Sequence, residues 1–501
     1  MFPYLTVLVV LPAVAALAVR VLPVGARVRA RHVALAAAIL ELGLAIAATF
    51  QFETWKGSEY QLAELHGWIP EIGTSWALGV NGIGLLLIML AVVLTPLVLL
   101  AAWKEDADPA RQANYVALIL VLEAFMVGLF AARDVFLFYV LFEGMLIPLY
   151  FLIGLFGGEQ RRYAAVKFLL YSLLGGLVML VAVVALYFVG PGGDQAFLTD
   201  NLTGLDLGTN TERLMFLAFF FAFAIKAPLV PLHTWLPAVA QTARPGTTTL
   251  LVAVLDKVGT FGMLTLCLPL FPEASRWAAP VIIGFAVVSV IYGAVLAIGQ
   301  SDMLRLIAYT SISHFGIIVL GIFAFSTTSA TGSAFYMLNH GLSTGALFLV
   351  AGFLIARRGT ADLGAYGGLQ KVVPVLAGSF LIIGLSALAL PGLSPFVSEM
   401  MVLIGAYPFA QVAVVIAGTG VVLAALYVLL AYQKVFTGPV RKGLEKTADL
   451  SWRERLVVAP LIGLMLVLGF LPRIATDLLD KPVHAMIGVE NHVTDEGDPQ
   501  S

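Results

Sequence analysis

FAIKAPLVPLHTWLP, Phe223–Pro237, sets one lysine and three prolines inside a run that is otherwise apolar. Proline removes a backbone donor and its ring clashes with the preceding turn, so a helix carrying Pro228 and Pro231 must break. In lipid such a break survives only where protein or a water-filled cavity satisfies the freed carbonyls. The stretch therefore faces the inside of a bundle, and Lys226 with it. A second stretch, LALPGLSPFVSE, Leu388–Glu399, repeats the pattern with Pro391, Gly392 and Pro395, and with an acid, Glu399, in place of the lysine.

The surrounding sequence supplies that bundle. Of 501 residues, 60% are hydrophobic and only 12% charged, where a soluble protein has about a quarter charged. A crossing needs roughly 20 apolar residues. Runs of that kind lie near 3–22, 33–51, 79–103, 114–132, 135–156, 164–189, 213–233, 246–270, 278–300, 303–325, 332–356, 372–403, 410–436 and 455–472. They are continuous rather than alternating, which selects helices over a barrel. The fold class is an all-α integral membrane protein of about fourteen transmembrane helices. The breaks fall in helices 7 and 12, and an offset of five reverses direction across the membrane. That is the pattern of two inverted five-helix repeats, 114–270 and 278–436, with a site near the midplane. Residues 1–103 form a three-helix segment ahead of them. Residues 437–472 form a cytoplasmic loop and last helix, and 473–501 a polar tail. The first apolar run lacks a basic leader and reads as a retained helix.

Loop lysines and arginines favour one side by roughly three to one, with Arg27, Arg29, Arg31, Arg441, Lys442 and Lys446 among them. That side is cytoplasmic, which places both termini in the periplasm of a bacterial plasma membrane. A net charge of -2 argues against a nucleic-acid partner. The single cysteine, Cys267, excludes a disulfide framework and a cysteine-ligated iron–sulfur cluster. No histidine–carboxylate spacing suggests a metal site, and no GxxxxGK[ST] motif is present.

Charges inside the spans carry the chemistry. Lys226 and Lys257 lie near the centres of spans seven and eight, Glu143 in FYVLFEGMLIPLY, Glu123 in LILVLEAFMVGLF, and Glu399 just after the second break. Each unpaired charge at a helix centre costs about 2.5–3.5 kcal/mol. Glu143, Lys226, Lys257 and Glu399 together would cost on the order of 10 kcal/mol, comparable with the whole stability of a domain. They must be paired, hydrated or neutralised inside the bundle. The plain alternative is a carboxylate and a lysine acting as static glue between helices. Lysine suits that poorly, because it loses its proton readily when desolvated, and the same lability suits a group that takes up and releases protons. His233, His314 and His340, amid Thr310, Ser311, Ser313, Asn339 and Ser343, suggest a hydrated polar line through spans seven, ten and eleven. A lone histidine in a span is as often a packing residue.

Taken together, AIKAPLVPLHTWLP, LDKVGTFGM, AYTSISHFG, MLNHGLSTGALFLVAG, LPGLSPFVSE and AYQKVFTGP resemble the antiporter-like membrane subunits of respiratory complex I, over about residues 60–470. Mrp-type Na+/H+ antiporter subunits and membrane-bound hydrogenase subunits are related. Within the family the chain is most similar to the M-type subunits of NADH-quinone oxidoreductase, which carry glutamate where L, N and Mrp D types carry lysine; here it is Glu399. The resemblance implies a proton-translocating subunit with no cofactor of its own, the NADH, FMN, iron–sulfur clusters and quinone belonging to partner subunits, and with L- and N-type neighbours in the membrane arm. It implies that Glu143 pairs with Lys226, that Lys257 is the central connecting lysine and Glu399 the terminal group, and that His314 and His340 lie on the central axis. Lys167, in AAVKFLLY, matches a family lysine but sits near a helix end, where it can snorkel. The chain departs from the family pattern at Ala238, Ala240, Leu304, Asp256 and Asn81, which leaves the cytoplasmic intake route open. The competing reading is a cation/proton antiporter subunit with no enzyme attached.

Overall fold

The computed structural model of the protein describes residues 2–56 and 59–495. Eleven helices among them are long and apolar enough to cross a membrane: Tyr4–Val21, Ala30–Gln51, Gly82–Lys104, Pro109–Ala131, Val135–Phe156, Arg161–Val189, Pro245–Leu270, Pro272–Ile298, Met303–Phe323, Thr327–Arg358 and Gln411–Phe436. They fall on eleven of the expected spans. The other three expected spans are not simple helices. The seventh is Thr209–Lys226 followed, after an irregular segment, by Trp235–Thr242. The twelfth is Pro374–Ala387 and Ser394–Ala406. The fourteenth, Trp452–Phe470, turns by 67° into a further helix that begins at Arg473.

Polar residues at the ends start the helices. Asn81 accepts from the backbone N–H of Ile83 and Gly84 at 3.1 and 3.0 Å, Asp134 from Leu137 at 2.9 Å, and Asp302 from Arg305 at 2.9 Å. Each satisfies orphan donors of a first turn. Asn81, a departure from the family pattern, thus acts as a helix cap. Ser451 and Glu454 form a capping box.

The helices sort into an inner and an outer set. The apolar windows of Pro245–Leu270 and Met303–Phe323 are 100% buried, whereas those of Ala30–Gln51 and Gln411–Phe436 are 28% and 33% buried. Outer helices present Leu, Val and Phe outward, for example Leu174, Val181, Phe188 and Val422, as a lipid-facing surface requires. The polar and ionisable side chains named from the sequence fall mostly on the inner helices, where they are sheltered from hydrocarbon.

Two segments differ from the expectation. Among the described residues the regular structure is helical except for one antiparallel hairpin, Gln61–Ile69 with Thr74–Val80, which turns through Gly73 at a φ of 70°. Asp134 ties it to the bundle by accepting from the Thr74 hydroxyl at 3.0 Å and the Ser75 N–H at 2.9 Å. The expected polar tail is largely a helix, Arg473–Asp495; its last residues, 496–501, lie outside the described residues. Ala475, Leu479, Val483 and Ile487, spaced by four, are buried, while Asp477, Asp480 and His484 stay exposed. An apolar stripe that narrow is outweighed by polar neighbours in the composition of the segment. The helix packs on Thr327–Arg358 and on Gly82–Ala101, and Gly82 lies directly against the Leu478 backbone.

Candidate functional site

The first break leaves Lys226 as the last residue of Thr209–Lys226. The carbonyl freed at Ile225 accepts from the Trp235 indole N–H at 3.0 Å, and the Val230 N–H donates to the Ser289 hydroxyl at 3.0 Å. The opening is thus closed by protein groups, as the lipid setting demands. Lys226 is buried, its Nζ lies 5.0 Å from the Phe142 ring and 5.4 Å from the Phe168 ring, and it has no protein hydrogen-bond partner.

Glu143 sits near the end of Val135–Gly144, two residues before Met145, which leads into Leu146–Phe156. Its carboxylate faces Gly176 of Arg161–Val189, and a side chain at Gly176 would strike it. The expected ion pair with Lys226 is not made directly: no N···O contact within 4.0 Å joins the two. Each nevertheless lies in the Coulomb field of the other.

Lys257 opens a short α-helical stretch between two π-helical turns, Leu251–Leu255 and Met263–Cys267. π-turns of this kind mark functional sites often. In the first, the Asp256 N–H bonds back to Leu251 O, and Val252 O accepts from Lys257 Nζ at 2.5 Å. Nζ also meets His340 Nδ1 at 2.6 Å. From there buried polar side chains follow one another, some hydrogen-bonded and some only in ring contact. The His340 and His314 rings are 5.3 Å apart, the Tyr427 hydroxyl bonds His314 Nε2 at 3.2 Å, and the His314 and Tyr336 rings are 6.0 Å apart. The Tyr336 hydroxyl donates to Glu399 Oε2 at 3.1 Å. Asn339 holds the second break in place, donating to Ser394 O and the Ser398 hydroxyl, each at 3.1 Å. All of these side chains are buried.

The structure thus brings Lys257, His340, His314 and Glu399 together and leaves other named residues aside. His233 stacks edgewise on Tyr292 at 5.2 Å and lies near Lys167, off this line. Lys167 is half-buried, with its Nζ 5.7 Å from the Tyr163 ring. Glu123 is fully buried and faces another buried acid, Glu41 of Ala30–Gln51. Tyr336, Tyr427 and Glu41 were not singled out from the sequence. Only Glu41 carried a signal there, as a lone acid in an apolar run.

On the basic side, Ala240 and Leu304 are buried apolar residues and offer no proton-accepting group. A cavity of ≈ 400 Å³ opens nearby, lined by Lys104, Glu105, Arg244, Arg453 and Glu454. Arg244 is held by Asp106 through two contacts of 2.6 and 3.0 Å. Burial raises the Glu105 carboxyl above the usual range, against the pull of the Arg244 guanidinium. Below the cavity the buried hydroxyls of Thr248, Thr249, Thr344 and Ser343 step towards His340, Thr249 donating to Gly345 O at 3.4 Å and Ser343 to His340 O at 3.4 Å. Among the described residues no group of three or more His, Cys, Asp and Glu is placed to hold a metal ion.

The family described as NADH:quinone oxidoreductase/Mrp antiporter, TM, matches residues 132–426. The chain is 47% identical to an NADH-quinone oxidoreductase subunit M of Mycobacterium tuberculosis, over 96% of this chain and 93% of that one. It is 38% identical to a protein of the same description from Rhodobacter capsulatus, over 87% and 86%. Among solved structures it superposes on a chain of respiratory complex I from Thermus thermophilus with a TM-score of 0.89 and 32% identity, covering 97% and 99%. A chain of the Mrp complex from Dietzia sp. shares the fold, with a TM-score of 0.85 at 22% identity. With more than half of its length matched, and relatives this similar along nearly all of it, the chain belongs to the NADH:quinone oxidoreductase/Mrp antiporter transmembrane family.

Proposed function

We propose that this chain is an M-type, antiporter-like subunit of an NADH-quinone oxidoreductase membrane arm, and that it translocates protons while the redox chemistry runs in other subunits. One observation carries the reading: Lys257, His340, His314, Tyr427, Tyr336 and Glu399 lie buried in succession, joined by hydrogen bonds from Lys257 to His340, Tyr427 to His314 and Tyr336 to Glu399 and by ring contacts between His340, His314 and Tyr336. Buried ionisable residues in a membrane protein are costly, and proton relays are among the few uses that retain them. Glu143 and Lys226 form the first element of the route, Lys257 its centre and Glu399 its outer end.

The arrangement comprises fourteen crossings, counting each broken pair as one: a three-helix segment, two inverted five-helix repeats and the last helix, Trp452–Phe470. Both termini face the periplasm. L- and N-type subunits flank the chain, and NADH, FMN, iron–sulfur clusters and quinone are bound by partners.

Lys257→Met tests the reading. It preserves the length of the side chain and removes the proton. In inverted membrane vesicles containing the assembled complex, NADH-driven proton uptake should collapse. Wild-type uptake in that variant would remove the central line from the route.

A further inference from the structure

Asp256 has no place in the line described above, yet it is fully buried and neither carboxylate oxygen has a protein hydrogen-bond partner. A charge so placed in a membrane interior costs about 2.5–3.5 kcal/mol, and a static role would be filled more cheaply by an apolar residue. Its position explains why it is there. Gly259 packs on the backbone of Phe223 and Ala227, so that face of the helix looks onto the segment containing Lys226. Asp256 precedes Gly259 by three residues and shares its face. A second neighbour is Thr327–Arg358, whose Gly341 lies against Ala253 O; Lys257 follows Ala253 by four residues and reaches His340 on that side. Consecutive residues of a helix point about 100° apart. Asp256 and Lys257 therefore point to different neighbours, Asp256 lying in the field of both Lys226 and Lys257.

Resting on the proton-translocation reading, we propose that Asp256 is a proton carrier between Lys226 and Lys257. The Lys226 ammonium gives its proton to the Asp256 carboxylate: an N–H bond breaks, an O–H bond forms, and a neutral amine and a neutral acid remain. The acid then gives the proton to the Lys257 amine, whose own proton has passed towards His340. The O–H bond breaks, an N–H bond forms, and the carboxylate is restored. No other reactant is consumed. Glu143, in whose field Lys226 lies, precedes that lysine in the route.

The test uses the assembled complex in inverted vesicles, with Asp256→Asn, Asp256→Glu and Lys257→Met compared by native electrophoresis and by NADH-driven proton uptake. Asp256→Asn keeps shape and hydrogen bonding but cannot exchange a proton. It should assemble and slow uptake by about a hundredfold, the low end for losing a proton-transferring group, while Asp256→Glu restores most of it. A protonated-carboxyl band in the infrared difference spectrum should vanish in Asp256→Asn. An assembled Asp256→Asn that pumps normally beside a dead Lys257→Met overturns the role of Asp256 alone. Normal pumping in both overturns the translocation reading itself. Failure of Asp256→Asn to assemble, or loss of uptake in Asp256→Glu as well, assigns Asp256 to charge balance or packing and also overturns the proposal.

Discussion

Replacing Lys226 by arginine keeps the positive charge and changes what the charge can do. A free guanidinium holds its proton about two to three pH units more tightly than a free ammonium, or about 3–4 kcal/mol. If Lys226 must release a proton in each cycle, that difference enters the barrier and slows the step about 10²–10³-fold. The surroundings add to it. Lys226 Nζ is buried against the rings of Phe142 and Phe168, without a protein hydrogen-bond partner. An arginine there would bring five N–H donors, and each one left unsatisfied costs about 1–3 kcal/mol. The assay is proton uptake by inverted vesicles per NADH oxidised, with assembly checked on native gels. Lys226→Arg should assemble less well and pump at a few per cent of wild type or below, given the ~10²-fold factor. Wild-type pumping by an assembled Lys226→Arg would show that Lys226 never gives up its proton, and the route would have to begin elsewhere.

Glu399→Gln should lose most proton uptake, while Glu399→Lys, which restores a titratable group of the kind the L and N types use, should keep part of it; wild-type uptake in Glu399→Gln would remove Glu399 from the route. Arg357 grips Glu454 with two contacts of 2.9 and 2.7 Å. Arg357→Ala should therefore cost about 3 kcal/mol of stability and lower the amount of assembled complex seen on native gels. For topology, Lys446→Cys in a Cys267→Ser background should react with an impermeant thiol reagent only from the cytoplasmic side; labelling from outside would invert the orientation.

Lys226, Lys257 and Glu399 were legible in the sequence because a charge inside an apolar run has no ordinary explanation. The breaks were legible because proline states its own constraint. Tyr336 and Tyr427 were not, since tyrosine is common among packed helices and only the positions of Glu399 and His314 give these hydroxyls a task. The Glu143–Lys226 pairing was inferred from resemblance, and the structure makes no direct contact between the two, the Glu143 carboxylate lying against Gly176 instead. Asp256 stood out in the sequence as a departure, but its meaning needed the faces of a helix, which i, i+3 spacing suggests only once the neighbours are known. The hairpin and the tail helix escaped because a search for long apolar runs passes over short strands and narrow stripes.

The contact between Lys257 and His340 Nδ1 sets a limit on repetition. A neutral imidazole accepts at one nitrogen and donates from the other, so while the Lys257 ammonium donates to Nδ1 the ring's own proton is on Nε2. A proton that enters at Nδ1 and another that leaves from Nε2 invert the tautomer. The ring then presents an N–H to an uncharged amine and has nothing on that side with which to accept a second proton. Before the next passage the ring must turn over or the tautomer must be rewritten. Such a line behaves as an escapement: one proton per reset, and the reset, rather than the hop, is the place where an outside driving force can act.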